Sequence, residues 1–157
     1  MTIDCTNQTE VWGSFRAGRL AEATLDSARI DGDGLDIRSH HTGYRHLPGS
    51  PLHRRRWLIT PDRIEITDQI EGSGIHSVGY RVLLDATQVL RVSGGEVECE
   101  GCRISVDAPG HAGGVEVNPS DHAVGHGQLR AALAIEGHWT VDLPARLTTT
   151  IALDAIG

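Results

Sequence analysis

The chain has 157 residues and a formal net charge of −7, and all 14 of its Lys/Arg residues are arginine. That length suits one buried core rather than two, and an acidic chain without lysine excludes a broad electrostatic footprint for nucleic acid or an anionic membrane. No apolar run is long enough to span a bilayer, the first residues lack the basic head and apolar middle of a secretory signal, and Cys5, Cys99 and Cys102 are too few for a disulfide scaffold.

Nearly every segment alternates apolar and polar residues with a period of two, and turn formers recur every eight to twelve residues or so. The pattern predicts strands at 22–30, 34–40, 52–60, 63–70, 75–84, 88–92, 96–99, 103–106, 115–117, 128–136 and 146–153. Between them lie Asp31-Gly-Asp-Gly34, Pro48-Gly-Ser-Pro51, Gly72-Ser-Gly74, Gly94-Gly95 and Pro109-Gly110, which supply the positive or preset φ that turns need. A short helical turn is expected only at 119–125, and 107–127 is the segment with least to bury. The whole chain, 1–157, therefore reads as one all-β domain. Its expected architecture is an antiparallel β-sandwich, supersandwich- or jelly-roll-like, of about ten to twelve strands. Leu129, Ala131, Leu133 and Ile135 are expected on one core face, and Leu147, Thr149, Ile151 and Leu153 on another.

One hairpin can be read in register. Thr60-Pro-Asp-Arg63 places Pro where a type I turn wants it, which sets Ile59 opposite Ile64, Trp57 opposite Ile66, Arg55 opposite Asp68 and His53 opposite Ile70. Arg55 and Asp68 then form a structural ion pair on an otherwise apolar face, because a guanidinium there needs its carboxylate beside it. Arg54 and Arg56 share the opposite face, where the solvated reading is favoured.

Two stretches concentrate side chains suited to binding. Residues 39–57 crowd histidines, arginines, Tyr44 and Trp57 into a turn-rich loop and the strand after it. Tyr44, Arg45 and His46 fall on that loop, where side chains are available to a ligand, although Tyr44 also suits a packed corner. In 7–19, Gln8, Trp12 and Arg16 offer an amide, an indole face and a fork of donors, a set that holds a sugar ring and its carboxylate or sulfate. The alternative is that Trp12 and Phe15 plug the end of the sandwich. His122 and His126 are four apart, but Gly125 and Gly127 oppose the helix that would align them on a metal. Cys99-Glu-Gly-Cys102 reads as a hairpin tip rather than half a zinc knuckle, and Asp31-Gly-Asp-Gly34 as a turn rather than a calcium loop. No phosphate loop, dinucleotide fingerprint or Ser-His-acid arrangement is present.

The residues Asn7-Gln-Thr-Glu-Val-Trp-Gly-Ser-Phe-Arg-Ala-Gly-Arg19, His41-Thr-Gly-Tyr-Arg-His-Leu-Pro-Gly49, His53-Arg-Arg-Arg-Trp57, Ile66-Thr-Asp-Gln-Ile-Glu-Gly72 and Ala145-Arg-Leu-Thr-Thr-Thr-Ile151 resemble, in order and spacing, the C-terminal portion of heparinase II/III-type polysaccharide lyases. The resemblance implies a parent enzyme in which a helical toroid precedes the sandwich and an acidic polysaccharide lies between them. There, uronic-acid chains are cleaved by β-elimination. It places the catalytic tyrosine, and the asparagine or histidine beside it, on the toroid. A further catalytic histidine and the metal-binding histidines fall on strands before a His-Asn-Thr-Val-type segment, whose tail corresponds to Met1–Asp4 here.

On that reading this chain holds no catalytic residue, no metal ligand and no cofactor, and is inactive alone. Gln8, Trp12, Arg16, Tyr44 and Arg45 are the residues expected to face substrate. The implied partners are the toroid and acidic polysaccharide, with self-association as one way to cover the surface the toroid would occupy. The compartment is left open between bacterial periplasm and cytoplasm. The alternatives are a stand-alone acidic-polysaccharide-binding or structural module, and an independent small hydrolase or lyase using Tyr44 and His46.

Overall fold

The computed structural model describes residues 1–13, 16–87, 89–93, 96–111, 113–125 and 127–154. Alternation becomes twelve strands, with no helix among the described residues. In chain order they are β1 Thr2–Ile3, β2 Val11–Gly13, β3 Arg16–Ala17, β4 Ala23–Asp31, β5 Gly34–His41, β6 Leu52–Thr60, β7 Arg63–Asp85, β8 Val89–Ser93, β9 Glu96–Cys99, β10 Cys102–Asp107, β11 Gly113–Gly125 and β12 Gln128–Leu153. Ten of them form one antiparallel sheet in the order β4-β5-β6-β7-β12-β10-β9-β8, with β1 added on β7 and β11 on β12, while β2 and β3 make a separate hairpin.

Two long strands turn this sheet into a sandwich. The first part of β7 pairs with β6 and with Ala145–Ala152 of β12, and its second part, from Gly74, pairs with Ala132–Leu143. Gly72 and Gly74 have φ of 132° and 93°, and the β7–β12 register shifts between Leu143 and Ala145, so both strands bend at one level. A Cβ at Gly72 would lie 2.9 Å from the Gly49 carbonyl oxygen, so the bend is also where the 42–51 loop packs close. Beyond the bend the halves face each other, and Tyr80 Oη meets Thr149 Oγ1 across the interior at 2.8 Å. Between them lie Ile3, Tyr44, Ile70, Val78, Val97, Ile135, Val141 and Leu147, each at most 1% exposed.

Several expectations are corrected here. The strands expected at 63–70 and 75–84 are one strand, and so are those at 128–136 and 146–153: Gly72, Gly74 and Pro144 fall at a bend within paired strands rather than at ends, and Gly137 is paired in register on both sides. No helical turn forms at 119–125; that segment belongs to β11, which pairs along β12 from Gly113 to Gly125. Pro119 is accommodated because β11 pairs with β12 alone, so a missing N–H costs no ladder bond on its outer side. Leu129 is 70% exposed and Ala131 is exposed too, since both lie at the far end of β12 beyond the buried cluster.

Candidate functional site

Alternation along β6 sends Arg54 and Arg56 to one side and His53, Arg55 and Trp57 to the other. The β6–β7 register is the one that the turn at Thr60–Arg63 predicts, with Arg55 opposite Asp68. Arg55 Nε donates to Asp68 Oδ1 at 2.6 Å and Nη2 to Oδ2 at 3.0 Å. The Asp68 carboxylate is 1% exposed and the arginine 30%, so the charge is buried at its acidic end and open at its basic end.

The carboxylate anchors a longer chain of contacts. His53 Nε2 lies 2.6 Å from Asp68 Oδ1, and His53 Nδ1 lies 2.8 Å from His41 Nε2, the two histidines being register partners on β5 and β6. The Gly43 N–H donates to His41 Nδ1 at 3.2 Å. That donor fixes every proton in the row. His41 Nδ1 must be the bare nitrogen, so Nε2 carries hydrogen and donates to His53 Nδ1, and His53 Nε2–H donates to Asp68. Neither imidazole has a free ring nitrogen. Burial, reinforced by His53 and Arg55, lowers the His41 pKa to about 4. Burial opposes ionisation of Asp68, yet the hydrogen bonds from His53 and Arg55 hold its carboxyl below the ordinary range.

Tyr44 closes the row. Its ring is tilted 57° against His41 with centroids 5.3 Å apart, it is fully buried, and its hydroxyl donates to the Met1 carbonyl at 2.7 Å. Burial pushes its pKa up to about 12. This corrects the expectation that Tyr44 faces substrate: with no exposed surface and a committed hydroxyl, it is a packing residue.

The other expected contact residues are not gathered at one point. Gln8 is exposed and borders a hollow of about 160 Å³ that also takes in Ser39, His40, His41, Arg55 and Trp57. Trp12 and Arg16 sit on the β2–β3 hairpin, where Trp12 is 62% exposed and so plugs nothing; its indole lies over Gly18. Phe15 lies outside the described residues. Arg45 is exposed on the 42–50 loop, wound by bonds from Arg45 N to Thr42 O, Leu47 N to Tyr44 O and Ser50 N to Leu47 O. Sequence reasoning missed the pairing of His41 with His53. The available signal was that alternation already puts His53 on the Asp68 face.

The remaining constellations carry no chemistry of their own. Cys99 and Cys102 are free and face each other across the β9–β10 hairpin tip. His122 is exposed on β11, and His126 lies outside the described residues. No group of three or more His, Cys, Asp or Glu side chains among the described residues could hold a metal ion, so the donors present do not fit the metal that the resemblance implies for the parent enzymes.

Comparison with solved structures gives the same architecture. A heparinase III gene product with methylated lysines superposes with a TM-score of 0.65 at 13% identity, over 83% of this chain and 21% of that one. Heparan sulfate lyase HepC from Pedobacter heparinus superposes with a TM-score of 0.63 at 12% identity, over 87% of this chain and 22% of that one. The chain thus spans about a fifth of the length of the solved lyases it matches, in which the equivalent region sits with the rest of the enzyme. No curated protein matches it. The model of the family described as heparinase II/III-like, C-terminal matches residues 1–153, and the chain belongs to that family.

Proposed function

We propose that this chain is the C-terminal β-sandwich of a lyase that cleaves uronic-acid polysaccharides by β-elimination, and that it is inactive without the helical toroid. One observation carries the second half of this reading. Eliminative cleavage needs a base to take the proton α to the carboxylate and an acid to protonate the leaving oxygen. The buried Tyr44, Tyr80, His53 and His76 and the half-buried His41 all have their side-chain polar atoms committed to one another, to Asp4, Asp68 or Thr149, or to the backbone.

The inner sheet face supports the first half. Leu25 and Ile30 on β4 stand 64% and 83% exposed beside Leu35, Ile37, Ile59, Ile64 and Ile66, which are only partly covered. An apolar face of this kind is what the rest of a lyase would pack against, and self-association would cover it in isolation.

The test is absorbance of unsaturated uronate with a panel of acidic polysaccharides. The chain alone yields no product, and addition of the helical part of a heparinase II/III-type lyase restores turnover. Turnover by the chain alone that disappears in Tyr44→Phe would overturn the reading. A stand-alone binding module is the second reading, favoured by the exposed Trp12, Arg16 and Arg45. Its signature is salt-sensitive retention on acidic polysaccharide without any toroid.

A further inference from the structure

We infer that the hollow between Gln8 and β6 is a binding subsite for a sugar-borne oxyanion, with Arg55 as its anchor and Trp57 as its apolar wall. The inference rests on the proposal that this chain contacts acidic saccharide, and it assigns that contact to residues other than the exposed β2–β3 hairpin.

Arg55 spends Nε and Nη2 on Asp68, and Nη1 has no partner among the described residues. The guanidinium carbon lies 5.7 Å from the centre of the Trp57 ring, so the fork is held between a buried carboxylate and an indole face. The Gln8 amide likewise has no hydrogen-bond partner among the described residues, and Ser39, opposite Arg55 on β5, adds a hydroxyl; both line the hollow with Arg55 and Trp57.

The hollow therefore gathers a guanidinium edge, an amide and a hydroxyl beside one aromatic ring. Donors of that kind suit a carboxylate or sulfate, and a ring wall suits the apolar face of the sugar carrying it. The volume of about 160 Å³ admits one such group and its ring, not an oligosaccharide.

The buried row behind Arg55 explains why the anchor is built rather than incidental. Asp68 is itself fixed by His53, His53 by His41, and His41 by the Gly43 N–H. An exposed arginine is usually a mobile charge, whereas here its fork is oriented before any ligand arrives. Gln8 is held too: a Cβ on Gly43 would lie 2.6 Å from the Gln8 carbonyl oxygen, so the absence of a side chain at 43 lets the Gln8 backbone pack against the loop that orders His41.

The experiment titrates the chain at low salt with glucuronate, glucose 6-sulfate and glucose, following the Trp57 indole N–H and Arg55 Nε–H by NMR. Either anion should shift both signals while glucose does not, and the stronger of the two identifies carboxylate or sulfate as the source. Gln8→Ala and Ser39→Ala should each weaken binding by roughly two- to tenfold, the loss expected for one hydrogen bond, without changing the melting temperature. Neither side chain is hydrogen-bonded among the described residues, so these variants stay folded even if Arg55→Gln does not. Equal shifts with glucose, unchanged affinity in both variants, or no shift with either anion would overturn the subsite. Anion shifts confined to Trp12 and Arg16 would also overturn it, while leaving the lyase-domain reading intact, since restored turnover tests that reading separately.

Discussion

On β6, Arg55 and Arg56 hold their aspartates with nearly the same fork. Nε meets Oδ1 at 2.6 and 2.9 Å, and Nη2 meets Oδ2 at 3.0 Å in both. The carboxylates differ: Asp68 is 1% exposed and backed by His53, whereas Asp36 is 19% exposed and shared with Arg38. One residue of offset along a strand thus sends the same pair to the interior or to water. Hydrogen-bond geometry alone therefore does not rank ion pairs. What ranks them is what each carboxylate meets when its arginine is removed.

The largest expected effect comes from breaking the inner pair. Asp68→Ala leaves the buried His53 Nε2–H without its acceptor and Arg55, 30% exposed, without its carboxylate. Removal of one partner from a fully buried pair costs about 3–5 kcal/mol, and the open end of Arg55 sets the loss here at or below the lower figure. Urea unfolding measures it. Removing both charges, with Arg55→Met and Asp68→Leu together, should recover part of the loss and fall short of full recovery because His53 still lacks its acceptor. If Asp68→Ala proved no more damaging than Asp36→Ala, the contrast between the two faces would be wrong.

How much of this arrangement could be read from the sequence depended on how tightly each pairing was tethered. The β6–β7 register was legible because the turn at Thr60–Arg63 is short and leaves the two strands one way to align. The partner histidine was not, because β5 and β6 are joined by the long loop from 42 to 51, which sets no register by itself. Gly137 and Pro144 hid the continuity of β12, although Trp139, Val141, Leu143, Ala145 and Leu147 alternate inward through them. β11 was illegible for another reason. Its own residues favour turns, and its strand conformation comes from pairing along the length of β12, a tertiary effect that local propensity does not carry.

Acid separates the two faces next. The folded His41 pKa is lowered to about 4 from an ordinary value of 6.5, so between those limits the unfolded chain takes up a proton that the folded chain refuses. Stability is therefore full above pH 6.5 and declines as the pH falls toward 4. Asp36 behaves differently. Arg56 and then Arg38 pull its carboxyl down to about 2 from an ordinary 3.8, so its contribution is intact across the histidine window and is lost only below 3.8. Stability measured from pH 7 to 4 should fall in the parent chain and flatten in His41→Gln. A slope of the same size in that variant would remove His41 as its source.

The smallest effect belongs to the outer pair, and salt is what exposes it. Arg56 is 39% exposed and Asp36 19%, so Asp36→Ala leaves an arginine that water rehydrates at once, with Glu65 still nearby. Screening shortens the reach of exposed charges to about 10 Å at 0.1 M salt and about 3 Å at 1 M, while a buried pair is screened much less. Asp36→Ala should therefore shift the unfolding midpoint measurably at low salt and lose most of that shift at 1 M sodium chloride. The Asp68→Ala deficit should survive the same change of salt, because water reaches the partners of Asp36 and does not reach Asp68.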